Sequence, residues 1–523
     1  MHDVAIIGGG LAGLTLALQV NQQAPDLSVV VLERNTFPVP AGAHKVGEAT
    51  VEIGAHYLSH TLGLEEYLEK QQLRKFGLRL FFGAGFQDDL SMADELGASS
   101  LLPAISYQLD RGTLENDLAA LLGERGVEVR TASVVKKVET GAEQHSLTVL
   151  HNGAEHQVQA RWVVDASARS SVLKRALGLA EPSEHKMCSV WFRVESDFSV
   201  DDWSTSEDWL ARCNGASRRP STNHLMGSGY WVWIIPLVGG KTSIGLVADP
   251  DIHPLETYDT FDKLMTWLTK HQPMLARQLA GAEPLDFLKL KNLSHGCGKL
   301  WSTDRWAITG EAGLFADPLY SPGTDFIGLS NTFVADLITR DCSAPELGIR
   351  VAVYEKMYRS FYESTMTLYE GQYAGFGDSR LMAVKLTWDY AYYWSILAWL
   401  FFRDVLTDLN FLRAIQPDIE QIRTLNNKVQ AAFRERASKA IVDEGKGRFF
   451  DQIAVPSIVE LNASLLDPSD DLVSELRQNC ARLEALAPKL LDVLAGIQIG
   501  KCPLLGDLEQ RIEATERDNQ FPA

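Results

Sequence analysis

The chain has 523 residues, of which 46% are hydrophobic and 22% are charged, and its formal net charge is −19. This length predicts about two to four domains, and the composition is that of an ordinary globular protein. The excess of 68 acidic over 49 basic residues argues against a nucleic-acid partner and against an anionic membrane surface.

Cysteine spacing and apolar runs bear on the compartment. The six cysteines are scattered without a CxxC motif or a His/Cys cluster, which favours reduced thiols and predicts no metal site. The chain enters its first strand directly, without a signal peptide. Its longest apolar run, 390–402, is shorter than the roughly 20 residues of a membrane-spanning helix. We therefore expect a cytoplasmic protein without membrane insertion. The cysteines are Cys188, Cys213, Cys297, Cys342, Cys480 and Cys502.

The first 33 residues carry the pattern of a dinucleotide-binding turn. A short apolar strand leads into Gly8, Gly10 and Gly13 of a GxGxxG motif, and an apolar helix follows. The glycines permit a tight turn and a close approach of a pyrophosphate to the helix N-terminus. A second apolar strand, 27–32, ends in Glu33, where an acid that accepts the ribose hydroxyls belongs. The pattern predicts a bound dinucleotide, and the alternative is a tight turn in a nucleotide-free α/β domain.

The rest of the chain falls into three regions. A strand that ends in Asp165 turns into a helix, which predicts a second βα junction of the same sheet. Alternating segments between 185 and 300 predict an antiparallel sheet over the open face of the nucleotide domain. The chain then returns through a strand, a glycine-bearing turn and a helix that opens after Gly323. The last third is helical in pattern and has no internal repeats.

Three segments resemble the flavin-dependent halogenases, which lie within the superfamily of FAD-binding aromatic hydroxylases. GGGLAG with Glu33 is shared by the whole superfamily. WVWIIP, from Trp231 to Pro236, fits the WxWxIP motif that separates these halogenases from hydroxylases. GEAGLFADPLYSPG, from 310 to 323, is similar to the superfamily's glycine–aspartate loop followed by the halogenase run DPLxSxG. The resemblance covers roughly residues 1–340 and favours phenol-type over tryptophan-type members.

The resemblance implies an α/β fold in three parts. A Rossmann-type FAD-binding domain with a mixed sheet occupies 1–180 and is completed by about 300–345. An antiparallel substrate-domain sheet occupies 181–300. A helical C-terminal region occupies 346–523.

The resemblance also implies a reaction. A separate flavin reductase supplies reduced FAD, which uses O₂ to oxidise chloride or bromide to hypohalous acid. This oxidant passes through an internal tunnel to a lysine beside a small, electron-rich aromatic substrate, which is either free or bound to a carrier protein. An FAD-dependent aromatic monooxygenase that hydroxylates the ring without halide is the runner-up interpretation. A binding protein with structural FAD is a third.

Lys75, in RKFGLRLFF, resembles the family's catalytic lysine by its spacing from KVGEAT. The chemistry requires an ammonium, or a lysine of lowered pKa, buried beside the substrate. The alternative is a solvated lysine at the start of a strand. Lys45 and Lys70 are less well placed candidates.

Trp231 and Trp233 belong on one face of a strand, because alternate residues point the same way. In the family this pair, followed by Pro236, guards the passage between flavin and substrate. The alternative is two tryptophans in the core of a sheet.

The resemblance implies a set of FAD contacts. Arg111 resembles the arginine that contacts FAD, with a helix-start salt bridge as the alternative. Val135 resembles the residue whose backbone meets the adenine. Glu311 replaces the usual Asp that holds the ribityl chain, and it can accept the same hydroxyl. The expected cofactor-binding residues are Gly8, Gly10, Gly13, Glu33, Arg34, Gly47, Arg111, Val135, Asp165, Gly310, Glu311, Gly313 and Ile327.

The expected halide turn departs from the family pattern. Backbone N–H groups of this turn bind halide in the family, and Pro322 has none. Gly323 and Thr324 remain as expected donors, while the missing hydrogen bond corresponds to about 1.5–3 kcal/mol. Tyr320 stands where tryptophan halogenases carry a glutamate. We therefore assign Tyr320 to the substrate pocket and expect a phenol, a pyrrole or another electron-rich ring.

Overall fold

Strands and helices alternate in the first part of the chain, and helices dominate after residue 323. The computed structural model describes residues 1–340, 343–442 and 444–498. The strands, in chain order, are β1 His2–Ile7, β2 Val29–Leu32, β3 Leu73–Arg74, β4 Leu78–Phe82, β5 Asp94–Gly97, β6 Tyr107–Gln108, β7 Glu128–Arg130, β8 Ser133–Glu139, β9 His145–His151, β10 Ala154–Asp165, β11 Ala180–Pro182, β12 Cys188–Val194, β13 Thr222–Gly227, β14 Tyr230–Leu237, β15 Lys241–Ala248, β16 Pro284–Leu290, β17 His295–Cys297, β18 Trp306–Ile308 and β19 Phe449–Asp451. The helices are α1 Leu11–Gln23, α2 Glu52–His56, α3 Glu65–Gln71, α4 Arg111–Glu124, α5 Val172–Ala176, α6 Glu207–Ala211, α7 Phe261–His271, α8 Pro273–Gln278, α9 Gly323–Arg340, α10 Ala344–Met366, α11 Ser379–Tyr392, α12 Trp399–Phe402, α13 Leu409–Ala437, α14 Pro456–Ser464 and α15 Leu472–Gln498.

The first sheet is built around β1. In the described part of the chain it has seven strands in the order β7-β2-β1-β10-β9-β8, with β18 paired to β10. β1 runs parallel to β2 and to β10, so Ile7, Leu32 and Asp165 lie side by side at the carboxyl ends of these strands. This edge is where parallel α/β sheets bind their ligands. The predicted α/β fold with a Rossmann-type mixed sheet is confirmed.

The second sheet differs from the expected one in two respects. Among the described residues it has eight strands in the order β16-β12-β15-β14-β13-β4-β5-β19, and it draws β4, β5 and β19 from outside 181–300. It is also mixed, because β4 runs parallel to β13 and β19 runs parallel to β5. β4 is buried along its whole length, so it lies inside a sheet, where strands on both sides satisfy its backbone groups. An alternating pattern within 181–300 carries no information about such distant partners.

The helices after residue 344 cover one face of the second sheet. Tyr369, Phe376 and Met382 share one hydrophobic core with Trp231 and Trp233 of β14. The other face packs against α7 and α8 in a separate core. Most large aromatic side chains of the C-terminal helices are buried, so they belong to the core. The rest of the predicted helical region, 499–523, lies outside the described residues.

The cysteines do not form disulfides in the described part of the chain. Cys188, Cys213, Cys297 and Cys480 are buried free thiols. Cys342 and Cys502 lie outside the described residues. Among the described helices, none combines the length and the apolar character needed to cross a bilayer.

Candidate functional site

The glycine-rich turn between β1 and α1 leaves no room for side chains. Gly8 has a φ of 107°, a conformation that favours glycine. A Cβ on Gly13 would lie 1.9 Å from the Gly8 carbonyl oxygen, and a Cβ on Gly8 would lie 2.6 Å from that of Ala166. The turn therefore presents backbone at the start of α1, where free N–H groups attract an anion.

Glu33 lies beside this turn, at the end of β2. Its buried carboxylate accepts hydrogen bonds from Gly9 N at 2.6 Å and from Asn35 N at 2.8 Å. Arg34 is exposed next to it, and Val135 is half-buried on β8. The structure thus brings Glu33 to the glycine turn, as the dinucleotide pattern predicts.

Two cationic side chains, Arg111 and Lys45, and the His44 ring converge on the N-terminus of α1. One oxygen of Glu115 accepts hydrogen bonds from Leu11 N at 3.1 Å and from Arg111 Nη2 at 2.5 Å. Its other oxygen lies 3.1 Å from Lys45 Nζ and 3.0 Å from His44 Nε2. Burial by itself favours the neutral form of Glu115, but the surrounding cations hold its pKa below the normal range. The cluster therefore concentrates positive charge at the end of a helix that already favours anions.

This cluster fits a bound pyrophosphate. Arg111 Nε is buried and has no hydrogen-bond partner among the described residues. Arg111 Nη1 lies 3.3 Å from the Gly47 carbonyl oxygen, and Lys45 Nζ would lie 2.9 Å from a Cβ on Gly10. An unused guanidinium donor, an ammonium and free helix amides are the groups that bind phosphate oxygens. The ion pair between Arg111 and Glu115 is also the helix-start salt bridge that the sequence left as an alternative.

The loop between β18 and α9 forms a second wall beside α1. Gly310 has a φ of 57°. A Cβ on Gly310 would lie 3.0 Å from Ala12 Cβ and 3.3 Å from Ile327 Cγ1, and a Cβ on Gly313 would approach the core beneath the loop. The loop therefore brings Gly310 and Ile327 to the first turn of α1.

Two carboxylates of the predicted cofactor set are bonded to protein groups. Glu311 accepts a hydrogen bond from Arg169 Nε at 2.6 Å, and both side chains are about one-third exposed. Asp165 is buried and accepts hydrogen bonds from Ser167 N at 3.0 Å and from Leu173 N at 2.7 Å. Burial raises the pKa of Asp165. Asp165 therefore holds the turn after β10, next to the glycine turn, rather than facing open space.

Lys75 is buried beside a small cavity. It is 3% exposed, and its Nζ donates a hydrogen bond to the Thr50 carbonyl oxygen at 2.8 Å. The cavity has a volume of about 30 Å³, and Glu52 and segment 98–106 contribute to its lining. Burial lowers the pKa of Lys75 to about 8, although Glu52 and Asp325 favour its charged form. Lys75 therefore differs from the solvated lysine of the alternative interpretation.

Two carboxyl groups flank this amine. Glu52 lines the cavity. The Trp394 indole N–H lies near its carboxyl, but not in the geometry of a normal hydrogen bond. No other described residue forms a hydrogen bond of normal geometry with this carboxyl. Asp325, in the first turn of α9, accepts hydrogen bonds from Gly54 N at 2.8 Å and from the Tyr393 hydroxyl at 2.7 Å. Burial raises the pKa of both carboxyl groups, that of Asp325 to about 7. Lys75, Glu52 and Asp325 are therefore buried together, and the charge of each affects the pKa of the others.

Trp231 and Trp233 lie on one face of β14, as their spacing predicts. Their ring centroids are 5.7 Å apart, and both side chains are buried. Trp231 Nε1 donates to the Tyr373 hydroxyl at 3.0 Å, and Trp233 Nε1 donates to Ser243 Oγ at 3.2 Å. Pro236 follows in the same strand. The hydrogen bonds hold both indoles in single orientations between the second sheet and the C-terminal helices.

The expected halide donors begin α9. The amides of Gly323 and Thr324 donate no hydrogen bond to another described residue. The Pro322 carbonyl oxygen accepts from Phe326 N at 3.0 Å, so the proline directly precedes the helix. Two free amides therefore point away from a helix of 18 residues, whose N-terminus favours anions.

Tyr320 lies apart from the Lys75 cavity. Its hydroxyl donates to Asp389 Oδ2 at 3.1 Å, and its ring lies 6.3 Å from the Tyr369 ring and 6.5 Å from the Tyr390 ring. It is absent from the lining of the cavity beside Lys75. Its φ of 70° turns the chain at this point, and the side chain enters the core of the C-terminal helices.

The sequence alone does not identify several residues of the site. His44 and Lys45 sit in a Gly- and Pro-marked loop, and the sequence offers Lys45 only as a lesser candidate for the catalytic lysine. Glu115 follows Arg111 by one helical turn, so all three look like ordinary surface positions. One sequence signal could identify Glu115: it is an acid on the inner face of a predicted helix. Glu52 and Asp325 look like first-turn helix acids, which are normally solvated.

Comparison with known proteins agrees with this geometry. Residues 1–238 match the family model described as an FAD binding domain. The flavin-dependent halogenase chlA of Dictyostelium discoideum is 26% identical over 431 residues, which are 76% of this chain and 70% of that protein. The brominase of 1H-pyrrole-2-carbonyl-(peptidyl-carrier protein) from Pseudoalteromonas luteoviolacea is 25% identical over 350 residues, which are 64% of this chain and 77% of that protein. The structure of halogenase PltM in complex with phloroglucinol and FAD shares the fold, with a TM-score of 0.69 and 17% identity over 92% of this chain and 98% of PltM.

The fold, the glycine turn and the family model define an FAD-dependent oxidoreductase, and FAD is its cofactor. Together with its halogenating relatives, these findings support a place for the chain in the flavin-dependent halogenase family. The same relatives support halogenation by an FAD-dependent enzyme and do not favour the hydroxylase alternative.

Proposed function

We propose that the protein is a two-component halogenase that transfers halogen from hypohalous acid, held at Lys75, to an electron-rich aromatic ring. The observation that supports this most is the burial of Lys75 beside a cavity, with its amine 2.8 Å from the Thr50 carbonyl oxygen. Glu52 and Asp325 lie near enough to favour the charge of Lys75, but no described carboxylate forms a direct ion pair with it. A lysine in this situation is rare in a protein interior, because burial of the charged amine is costly. A function in the cavity accounts for its position.

The groups around the N-terminus of α1 are the proposed FAD contacts. The glycine-turn backbone, Arg111 and Lys45 would hold the pyrophosphate, Glu33 would accept the ribose hydroxyls, and Gly310 would allow close approach of the backbone. Reduced FAD, when bound, would reduce O₂ by two electrons to the peroxide level, and this oxidant would convert halide to hypohalous acid. The remaining proposed contacts are Arg34, Gly47, Val135, Glu311, Gly313 and Ile327. Asp165 would act indirectly, because it holds the turn after β10 beside the glycine turn.

The free amides of Gly323 and Thr324 are the proposed halide donors. Two amides and the helix dipole supply the attraction, although Pro322 removes a third donor. Asp325 lies in the same helical turn, and its ionised carboxylate would repel a halide. With a pKa of about 7, Asp325 is partly protonated near neutral pH, and halide binding should strengthen as the pH falls through 7.

Trp231 and Trp233 are the proposed guards of the passage from flavin to substrate. Each indole is fixed by a hydrogen bond, to Tyr373 and to Ser243 respectively. In this proposal the two bulky, fixed rings would let a small oxidant pass and would exclude an aromatic ring. This arrangement favours halogenation at a distance over direct hydroxylation by the flavin.

Lys75 is the proposed carrier of the oxidant. With a pKa of about 8, about one-tenth of the amine is neutral at pH 7. The ammonium can hold hypohalous acid by a hydrogen bond, and the neutral amine can form an N–halogen bond. Both forms are therefore available at the pH at which enzymes usually work.

The proposed substrate is a phenol, a pyrrole or a similar ring, free or attached to a carrier protein. The carrier-bound option is supported by the pyrrole-2-carbonyl brominase among the relatives. The cavity of about 30 Å³ admits only water-sized molecules, so an aromatic ring requires movement of its wall. Residues 100–102 are the most exposed part of that wall, and Leu101 is 50% exposed. We expect the ring to enter there, and a separate flavin reductase to be the second component.

The test combines the protein with a flavin reductase, NADH, FAD and either chloride or bromide. Free phenols, indoles and pyrroles, and a pyrrole-2-carbonyl carrier protein, are offered as substrates, and products are analysed by mass spectrometry. Halogen isotope patterns that require both the protein and halide support the proposal. A product with one added oxygen, independent of halide, would show a monooxygenase, and no product in any reaction would contradict both. Lys70→Met, at an exposed lysine, serves as the control for Lys75→Met, which should abolish the halogenated product.

A further inference from the structure

We infer that Glu52 is a second catalytic residue, the base that takes the acidic O–H or N–H proton of the aromatic substrate. This inference rests on the proposed function, because it assigns a role in the cavity where halogen transfer is proposed. It also defines the substrate class: the ring carries a hydroxyl or pyrrole-type N–H that is still protonated when it binds.

The position of Glu52 carries this inference. The residue is 9% exposed, it lines the same cavity as Lys75, and its carboxyl has no hydrogen bond of normal geometry to another described residue. Other buried carboxyl groups among the described residues accept hydrogen bonds from neighbouring residues: Glu48 accepts from Arg193 and Ser243, and Asp325 accepts from the backbone and from a tyrosine. The carboxyl of Glu52 interacts with its own backbone N–H and with the Trp394 indole. Because it also lines the cavity, a donor group of a ligand can reach it.

The chemistry requires a base at this place. Electrophilic halogenation is faster on a phenolate or a pyrrole anion than on the neutral ring, because the added charge lies in the ring. The accepting group must stand within hydrogen-bond reach of the donor, and its pKa should lie near the working pH. Burial raises the pKa of Glu52, while the Lys75 charge opposes this effect. Because its pKa is raised, the Glu52 carboxylate takes a proton more readily than a solvated carboxylate does.

Glu52 and Lys75 together account for every proton that moves in the proposed step. Glu52 takes the substrate proton, and the ring carbon attacks the halogen of hypohalous acid at Lys75. The halogen–oxygen bond breaks with its electron pair on oxygen, and the leaving hydroxide takes a proton from the Lys75 ammonium to form water. The substituted ring carbon then loses its proton to the Lys75 amine. Glu52 returns the first proton to the product, so both residues regain their starting states.

Several titratable groups face Glu52 and contribute to its pH dependence. Lys75 favours the charged carboxylate, and Asp325 opposes it by like charge. The tyrosine hydroxyls stay protonated, because burial and the nearby carboxylates raise their pKa. The full set of groups around the carboxyl is Lys75, Asp325, Tyr390, Tyr393 and the Trp394 indole.

The test compares Glu52→Gln with the wild type and with Asp325→Asn, in the full chain supplied with a flavin reductase. Asp325 does not line the cavity, but its carboxylate lies near Lys75. Asp325→Asn therefore shows what a change in the pKa of Lys75 does by itself, without the loss of a base in the cavity. Each protein receives a phenol that is neutral at the assay pH, and a more acidic phenol that is already ionised. Hypohalous acid is measured separately, with a diffusible diketone trap and no phenol.

We expect Glu52→Gln to lower kcat/KM for the neutral phenol by about 10–100-fold, the range typical of a lost general base. The ionised phenol should lose less than threefold, and bromination of the trap should stay within twofold of wild type. Asp325→Asn should change the rates of both phenols by the same factor. Glu52→Asp, which keeps a carboxylate one methylene shorter, should retain a rate between those of wild type and Glu52→Gln.

Two results would overturn the inference. One is a Glu52→Gln protein with unchanged preference between neutral and ionised phenols; the other is an equal loss with both phenols and with the trap, which would indicate a structural role. If Glu52→Gln does not fold, the same comparison is made with Glu52→Asp, and an unchanged preference again overturns it. A wild type that halogenates no substrate refutes the proposed function itself, a separate outcome.

Discussion

Replacement of Lys75 by methionine should stabilise the fold while it abolishes halogen transfer. Burial lowers the pKa of Lys75 from 10.5 to about 8, and each pKa unit corresponds to about 1.4 kcal/mol. The charged amine therefore costs the folded state about 3 kcal/mol below pH 8. Methionine has a similar volume and no charge, but it leaves the Thr50 carbonyl oxygen unbonded, a loss of about 1–2 kcal/mol. The expected net gain is about 1–2 kcal/mol in the free energy of unfolding.

The assay is thermal and chemical unfolding of wild type and Lys75→Met between pH 6.5 and 10.5. The wild type should gain stability as the pH rises from about 8 to 10.5, because the folded chain releases the lysine proton before the unfolded chain does. The variant lacks this gain, so its advantage should be largest below pH 8 and should vanish between about pH 9 and 10. Near pH 10.5 the wild type should be the more stable protein, because it keeps the hydrogen bond to Thr50 without the cost of a buried charge. At pH 7 we expect a rise in Tm of about 2 °C. A variant that is less stable than wild type at pH 7, or a difference that does not change with pH, would refute this reasoning.

Three further predictions follow from the same contacts. Gly13→Ala should abolish FAD binding or yield insoluble protein, because its Cβ would lie 1.9 Å from the Gly8 carbonyl oxygen; flavin retained on purification reports this. Arg111→Ala should weaken FAD binding about 10–100-fold through loss of charge-assisted hydrogen bonds, measured by flavin fluorescence, and unchanged affinity would count against the proposed pyrophosphate site. Burial raises the pKa of Asp325 to about 7, so the wild type should lose stability as the pH rises from about 4 to 7. Asp325→Asn should remove that slope in unfolding experiments.

The cofactor turn could be predicted from the sequence because its information is local. Gly8, Gly10, Gly13 and Glu33 lie within one βαβ unit, and the pattern prescribes their roles by spacing alone. Trp231 and its partner two residues later follow from the period of a strand. Backbone geometry then places these side chains without help from the rest of the chain.

The rest of the site depends on contacts that no local pattern encodes. His44 and Glu115 are 71 positions apart, and their meeting depends on how the loop after β2 folds over α4. β19 has three residues and pairs with β5 across more than 350 positions, so it has no periodicity to detect. Glu52 looks like a solvated first-turn acid until Lys75 and the C-terminal helices close over it. Convergence of this kind is decided by packing.

A single-turnover reaction tests most directly whether Lys75 delivers the oxidant. Chemically reduced FAD, bromide and an electron-rich phenol are mixed with oxygenated buffer and either wild type or Lys75→Met, and the products are quantified by mass spectrometry. We predict one bromine isotope pair in the wild-type product, and less than one-hundredth of that product from the variant, with FAD bound equally by both proteins. Equal bromination by both proteins would contradict the role of Lys75, and a product with one added oxygen from the wild type would contradict halogenation.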